Sequence, residues 1–291
     1  MKVVLLGAGG QLAQDLVRVT TGWDVVPLRR HELDVCGFAQ VQKRFTEIKP
    51  EVVINTAAFH QVEECELRPE EAFRVNAVGA FNVARACEQI GAACVYLSTD
   101  YVFDGAKNDP YTEEDTPRPL NVYGVSKLSG EQLVRLFCPR HFIVRSSGLY
   151  GFAGASGKGG NFVKSMIHLA RENKPIRVVN DQVLSPTYTK DLAQKIKELL
   201  TTQVYGLYHI TSTGQCSWYD FAQQIFESLD LRPDLQPTTT LSFGLKACRP
   251  PYSVLGNRML NLIGLNSMRS WQEALKSYLH QEERATCGHD P

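Results

Sequence analysis

Short apolar runs separated by stretches with helical spacing dominate the first half of this chain. Lys2–Leu6, Asp24–Leu28, Glu51–Asn55, Ala93–Ser98 and His141–Arg145 read as strands. Gln11–Val19, Phe38–Ile48, Pro69–Ile90 and Tyr123–Phe137 read as helices, and in Pro69–Ile90 an apolar face runs through Ala72, Val75, Val78, Val83, Ala86 and Cys87. Nearly continuous apolar strands alternating with helices are strands covered on both faces, the mark of parallel pairing. The expected class is α/β, a doubly wound parallel-sheet Rossmann fold.

After Tyr150 the rhythm changes. Gly151–Gly160 is glycine-rich and is expected to be a mobile loop. Its Gly157-Lys158 pair is not a phosphate loop, because Phe152 stands where GxxxxGK[ST] needs its first glycine and Gly159 follows the lysine. A helix (Phe162–Arg171), a strand (Ile176–Val179) and a helix (Thr189–Leu200, whose apolar face should pack on the sheet) come next. The remainder, with Pro233, Pro237, Pro250 and Pro251, is less regular. The chain of 291 residues falls just short of two domains of about 150. A smaller, partly interleaved C-terminal substrate domain is expected.

Charge excludes several functions. The 31 Lys+Arg balance the 31 Asp+Glu without a basic stripe, which argues against a nucleic-acid partner. No apolar run approaches the ~18 residues of a membrane span, and the run before Gly7 is too short for a secretory signal. A cytoplasmic protein with no membrane partner is expected. The eight cysteines include no CxxC pair and the seven histidines no HxxxH, so reduced, mostly buried thiols and no metal site are expected. Trp23, Trp218 and Trp271 read as core residues.

The turn Gly7-Ala8-Gly9-Gly10-Gln11-Leu12-Ala13 reads GxxGxxA at a strand-to-helix junction. Glycines there let a pyrophosphate meet the free N–H groups of the helix, and Ala13 allows close helix–sheet packing. The second strand then ends in Arg29-Arg30. Arginine suits the extra phosphate of NADP(H), whereas NAD sites usually place an acid there. Asp34 lies further on, so NADH use stays open beside NADPH. Residues 1–150 are therefore the expected NADP-binding domain, continued by roughly 186–212, with 151–185 and 213–291 as substrate domain.

Tyr123-Gly124-Val125-Ser126-Lys127 sets a phenol and an ammonium one turn apart on a helix face. A neighbouring Lys⁺ and an oxidised nicotinamide both favour the phenolate and should lower the Tyr123 pKa from its ordinary ~10. A hydroxyl at the end of the strand closing with Ser98-Thr99 supplies a third member.

These features, with Asn55-Thr56-Ala57-Ala58 after the third strand and Asn76 in the next helix, resemble an extended short-chain dehydrogenase/reductase. Ser98-Thr99-Asp100-Tyr101-Val102-Phe103-Asp104-Gly105, Asn161-Phe162-Val163, Asp181-Gln182-Val183-Leu184-Ser185-Pro186-Thr187-Tyr188 and Arg249-Pro250 resemble, more specifically, the dTDP-4-dehydrorhamnose reductase family. The resemblance runs from residue 1 to about residue 277. It implies NADPH-dependent reduction of the 4-keto group of dTDP-4-dehydro-L-rhamnose to dTDP-L-rhamnose, with Thr99, Tyr123 and Lys127 as catalytic triad. Gly7, Gly10, Gln11 and Leu12 match the pyrophosphate turn. Asp34 and Val35 fall at the adenine pocket, and Ala57, Ala58 and Phe59 beside the cofactor ribose. Thr99, Asp100, Tyr101 and Val102 meet the sugar, a dTDP-linked 4-keto-6-deoxyhexose, while Asn161 and Arg249 belong to the diphosphate side.

One departure touches the sugar. Many members read Arg-Thr-Ser-Trp where this chain reads Arg145-Ser146-Ser147-Gly148. An indole that would lie against the hexose is missing at Gly148, and either the pocket widens or another aromatic, Tyr150 or Phe152, fills in. A related nucleotide-sugar reductase or an epimerase would share the fold and triad, and a non-catalytic NADP-binding regulatory subunit would share the fold. A monomer and a homodimer fit the sequence equally.

Overall fold

The computed structural model describes residues 1–153, 160–172, 174–244 and 246–286. Strand β1 (Lys2–Leu6), helix α1 (Gln11–Val19), strand β2 (Asp24–Leu28), helix α2 (Phe38–Ile48) and strand β3 (Val52–Asn55) form the opening run. Helices α3 (Val62–Leu67) and α4 (Pro69–Phe73) follow, and a π-helical turn over Arg74–Gly79 joins α4 to α5 (Ala80–Ile90). Strand β4 (Ala93–Thr99), helix α6 (Val122–Phe137), strand β5 (His141–Ser146) and the short strand β6 (Leu149–Tyr150) close the first half. The second half holds α7 (Phe162–Arg171), β7 (Ile176–Val179), β8 (Val183–Leu184), β9 (Thr187–Tyr188), α8 (Thr189–Leu200) and β10 (Gly206–His209). It ends with β11 (Cys216–Ser217), α9 (Trp218–Ser228), β12 (Leu235–Thr238), α10 (Arg258–Leu262) and α11 (Trp271–Thr286).

The main sheet has the order β2-β1-β3-β4-β5-β10, and every neighbouring pair is parallel. Side-chain alternation along the strands serves two cores. Val3, Leu5, Val52, Ile54, Val95 and Val144 pack with α1 and α8. Val4, Leu6, Val53, Cys94, Tyr96 and Ile143 pack with α2, α5 and α6. The strands are thus covered on both faces, as their composition predicts, and the apolar face of α8 lies on the sheet. The strand order reverses between β1 and β3, and ligands of open α/β sheets bind at such a switch point.

A third core gathers Tyr150, Met166, Ile176, Tyr188, Phe221, Trp271 and Tyr278, drawing on segments before and after α8. Helices α9 and α11 lie in the stretch that reads as irregular. Each has a local start signal: Ser217 and Asp220 form a capping box on α9, and Ser270 and Glu273 exchange the same kind of bonds at the start of α11. The Pro69–Ile90 helix is continuous except for its π turn. There Tyr96 Oη donates to the Asn76 carbonyl at 2.8 Å, giving that oxygen a partner outside the helix ladder.

Of the described cysteines, Cys65, Cys87, Cys94, Cys138 and Cys216 are buried, Cys36 is half-buried and Cys248 exposed, all as free thiols. Cys287 and residues 154–159 of the glycine loop lie outside the described residues. No helix among the described residues is long and apolar enough to cross a membrane.

A buried charge network joins α6 to the sheet. Arg145 Nε and Nη2 donate to the two oxygens of Glu131 at 2.9 and 2.6 Å, and Ser98 Oγ donates to the same carboxylate. Fully buried His209 donates from Nδ1 to the Tyr111 carbonyl (3.0 Å), leaving Nε2 to face Arg145 Nη1 at 3.4 Å. Burial and the neighbouring guanidinium pull the His209 pKa down to about 3. The unfolded chain, with its histidine near ~6.5, takes up a proton first, so stability falls as pH drops from that value towards 3, by about 1.4 kcal/mol per unit. His209→Gln is expected to flatten the loss of Tm between pH 6 and 4 (about two units of the window). An unchanged slope in thermal melts contradicts the assignment.

Candidate active site

The loops after β1, β3, β4 and β5 meet at the C-terminal edge of the sheet, where a cleft of about 650 Å³ opens. At its centre is the turn after β1. The N–H groups of Gly7 and Ala8 both donate to the Leu28 carbonyl (3.0 and 3.2 Å), and Gly10 N donates back to Gly7 at 2.9 Å. Gly7 has φ +75°, and a Cβ there would lie 2.8 Å from Ala57 N and 2.9 Å from Thr56 Oγ1. Only glycine fits. Helix α1 then starts at Gly10 with no side-chain cap, so its first N–H groups remain for an anion. Gln11 Nε2 donates to the Leu149 carbonyl at 3.0 Å, tying this turn to β6, while Leu12 and Ala13 are buried in the first core.

Arg29 and Arg30 are exposed at one end of the cleft. Beside them, Asp34 accepts from Cys36 N at 3.0 Å, which holds its carboxyl below the usual range. Val35 is buried and fills the space above Gly79, where a Cβ would meet its Cγ2 at 2.7 Å. The loop of Ala57, Ala58 and Phe59 is held by Asn76. Its side chain accepts from Phe59 N (2.8 Å) and donates to Phe59 O (2.9 Å) and to Ser126 Oγ (3.0 Å). The π turn therefore presents the residue that fastens this loop to α6.

Thr99, Tyr123 and Lys127 come together from the end of β4 and the first turns of α6. Asn121 caps α6 by accepting from Gly124 N at 2.8 Å, and a Cβ on Gly124 would strike the Tyr101 carbonyl at 2.2 Å. The glycine after Tyr123 thus lets α6 close on the β4 loop. Burial pushes the Tyr123 phenol up, opposed by its hydrogen bond with the Thr99 hydroxyl. Lys127 is 2% exposed. Its Nζ donates to the Leu97 carbonyl at 2.6 Å and stands 4.0 Å over the Tyr96 ring. Burial brings it down to about 7, opposed by Glu131. The expectation that the ammonium lowers the phenol is not met. Desolvation dominates both groups, and the ammonium is spent on Leu97 and the Tyr96 face.

Asp100 is buried, and Ser253 Oγ (2.6 Å), Ser147 Oγ (2.8 Å) and Thr99 Oγ1 (3.0 Å) all donate to it. Burial raises its pKa against those bonds. Tyr101 is pushed up to about 12 by burial and then by Asp100, with Arg249 opposing. Arg249 Nη2 lies 3.2 Å from Glu63, and its buried Nη1 has no hydrogen-bond partner among the described residues. That orphan donor suits an anion.

Of the other expected site residues, Gly148 lines the cleft, whereas Val102, Asn161 and Arg249 do not. Val102 is fully buried in a small cluster with Phe103, Tyr111 and Leu255 and does not line the cleft. Asn161 caps α7 through Lys164 N (3.0 Å) and donates to the Gly151 carbonyl (2.5 Å), so its amide is committed to the fold. Gly148 lines the cleft with φ +56°. Neither Tyr150 nor Phe152 supplies a wall beside it: Tyr150 is fully buried on Tyr188, and Phe152 packs against Tyr188 and Tyr278. Trp218 packs against the third core, its ring centroid 4.6 Å from that of Phe162, and also lines the cleft. The capping box places Trp218 in the first turn of α9; Trp271 opens α11 in the same way and is buried in the core, so no local signal separates the two. Leu184 and Ser147 stand inside the Asp181–Tyr188 and Arg145–Gly148 segments but are not themselves singled out there, and nothing in its neighbours marks Ser253. No group of His, Cys, Asp and Glu among the described residues could hold a metal ion.

The chain matches the family described as RmlD substrate binding domain over residues 1–284. It is 40% identical over 288 residues to the spore coat polysaccharide biosynthesis protein SpsK of Bacillus subtilis, covering 98% of this chain and 99% of that protein. It is 38% identical over 281 residues to a dTDP-4-dehydrorhamnose reductase of Streptomyces griseus, covering 94% and 91%. The crystal structure of the Bacillus anthracis dTDP-4-dehydrorhamnose reductase in complex with NADP superposes with a TM-score of 0.93 at 41% identity, over 96% of this chain and 99% of that one.

The tight approach at Gly7 has a measurable consequence. Gly7→Ala combines a left-handed backbone with a clash against the β3 loop and is expected to cost about 1–3 kcal/mol in urea unfolding. A variant as stable as the parent contradicts the geometry.

Proposed function

The chain belongs to the RmlD substrate binding domain family, that of the dTDP-4-dehydrorhamnose reductases, and from that premise we propose that it reduces the 4-keto group of dTDP-4-dehydro-L-rhamnose with NADPH. One observation carries the reading: an uncapped helix start behind a glycine turn, two exposed arginines and the Thr99–Tyr123–Lys127 set open into one cleft.

The residues present fit NADPH. The turn at Gly7, Gly10, Gln11 and Leu12 leaves room and N–H donors for the pyrophosphate, and Arg29 and Arg30 present guanidinium forks for the added phosphate. Asp34, Val35, Ala57, Ala58 and Phe59 wall the adenosine and ribose side. Bound NADPH supplies the hydride that converts the carbonyl to an alkoxide. Tyr123 gives its phenolic proton to that oxygen. A phenol held up by burial is protonated throughout the neutral range, the form a reduction needs. Thr99 orients the carbonyl through its hydroxyl. Lys127, which lines the cleft with its ammonium held by the Leu97 carbonyl, is placed to hold the nicotinamide ribose. Asp100 and Tyr101 meet the sugar, and the orphan Nη1 of Arg249 takes a diphosphate oxygen.

Tyr123→Phe is expected to lower kcat by about 10²–10⁴ while leaving NADPH binding by fluorescence titration unchanged. Equal losses of binding and turnover contradict the proton-donor role. Arg29→Ala combined with Arg30→Ala removes charge-assisted bonds worth about 1.5–3 kcal/mol and is expected to cut the preference for NADPH over NADH at least tenfold (about 1.4 kcal/mol). An unchanged preference overturns the phosphate assignment. The reading as a whole is tested by NADPH oxidation with a panel of dTDP- and UDP-linked 4-keto-6-deoxyhexoses. Oxidation with the dTDP-4-keto sugar supports it; tightly held NAD⁺ with no net oxidation overturns it in favour of an epimerase.

A further inference from the structure

Gly148 follows β5 two residues beyond Ser146, which is level with Thr99 in the β4–β5 register. It therefore lies just past the strand end level with Thr99, and both residues line the cleft. The space its missing side chain leaves is filled from another element: a Cβ at Gly148 would lie 2.7 Å from Leu184 Cδ1 and 3.1 Å from the Pro186 Cα. Leu184 lines the cleft while being only 4% exposed.

Strand β8 is pinned on both sides. Leu184 pairs with Cys216 of β11, and Val183 exchanges backbone bonds of 2.8 Å with Pro251 and Ser253. Ser253 in turn donates to Asp100. The residues after Cys216 lead through Ser217 into α9, so the β8–β11 pairing carries Leu184 and Trp218 to the same end of the cleft.

We propose that Leu184 is a specificity-determining residue, the aliphatic wall against which the hexose of the nucleotide sugar packs, with Trp218 as its aromatic counterpart. The proposal rests on the nucleotide-sugar reading above and goes beyond it in naming the contact. A hexose lacking its 6-hydroxyl presents a methyl group, and an aliphatic wall gains contact with a methyl where it would desolvate a hydroxyl. The discrimination available from one such apolar contact is about tenfold to two-hundredfold.

The test compares the parent, Leu184→Ala and the volume-conserving Leu184→Met. Binding of dTDP and of dTDP-L-rhamnose is measured by calorimetry, and KM and kcat with the 4-keto sugar. In Leu184→Ala the affinity for dTDP-L-rhamnose is expected to fall about tenfold or more, with KM for the keto sugar rising in step. Affinities for dTDP alone and for NADPH stay unchanged, and Leu184→Met recovers most of the loss. If Leu184→Ala does not fold, Leu184→Val is expected to weaken dTDP-L-rhamnose binding but not dTDP binding. Equal effects on dTDP and dTDP-L-rhamnose, or no effect on either, overturn the proposal. A parent that binds dTDP-L-rhamnose no better than dTDP also overturns it. A parent that oxidises NADPH with none of the keto sugars overturns the underlying reading instead, so the two failures are distinguishable.

Discussion

Parallel pairing of six strands is the constraint from which the rest of this structure follows. In a parallel sheet every strand ends on the same edge, so the loops after β1, β3, β4 and β5 converge there. Parallel strands must also be covered on both faces, which accounts for the apolar runs and for the helices that alternate with them. The reversal of strand order between β1 and β3 opens the crevice. The approach of Gly7 to Thr56 and Ala57 sets how narrow that crevice is.

Burial of charge next to the crevice gives the site its chemistry. Lys127, Glu131 and Arg145 are each no more than 3% exposed. Glu131 and Arg145 satisfy one another and hold α6 against β5, while the Lys127 ammonium is turned towards Leu97 and the Tyr96 ring. Desolvation pulls Lys127 down and holds Tyr123 up, and a protonated phenol is what the reductive direction requires. The net charge of the chain is zero, yet Arg29 and Arg30 line the cleft and Arg249 directly precedes its lining residue Pro250, so positive charge is concentrated there.

Much of this was legible in the sequence, for local reasons. A strand–turn–helix with Gly7 and Gly10 needs only its neighbours to be recognised, and Tyr123 and Lys127 share a helix face by spacing alone. What could not be read depends on contacts between segments far apart in the chain. Ser147 and Ser253 become partners of Asp100 only after folding. Asn161 looks like a ligand residue by motif, but its amide is used to cap α7 and hold Gly151. The wall beside Gly148 comes from Leu184, which no helical or strand periodicity connects to it. The raised pKa of Tyr123 is not legible either, because spacing reports a nearby cation and says nothing of desolvation.

The central claim is that one cleft brings a reduced nicotinamide and a dTDP-linked keto sugar together for direct hydride transfer. NADPH carrying deuterium at the transferable position measures this in one step, with the sugar product analysed by mass spectrometry and NMR. The account predicts a single deuterium at C4 of the product and net formation of oxidised cofactor. Product without label, or label retained on the cofactor while the sugar is turned over, would contradict it.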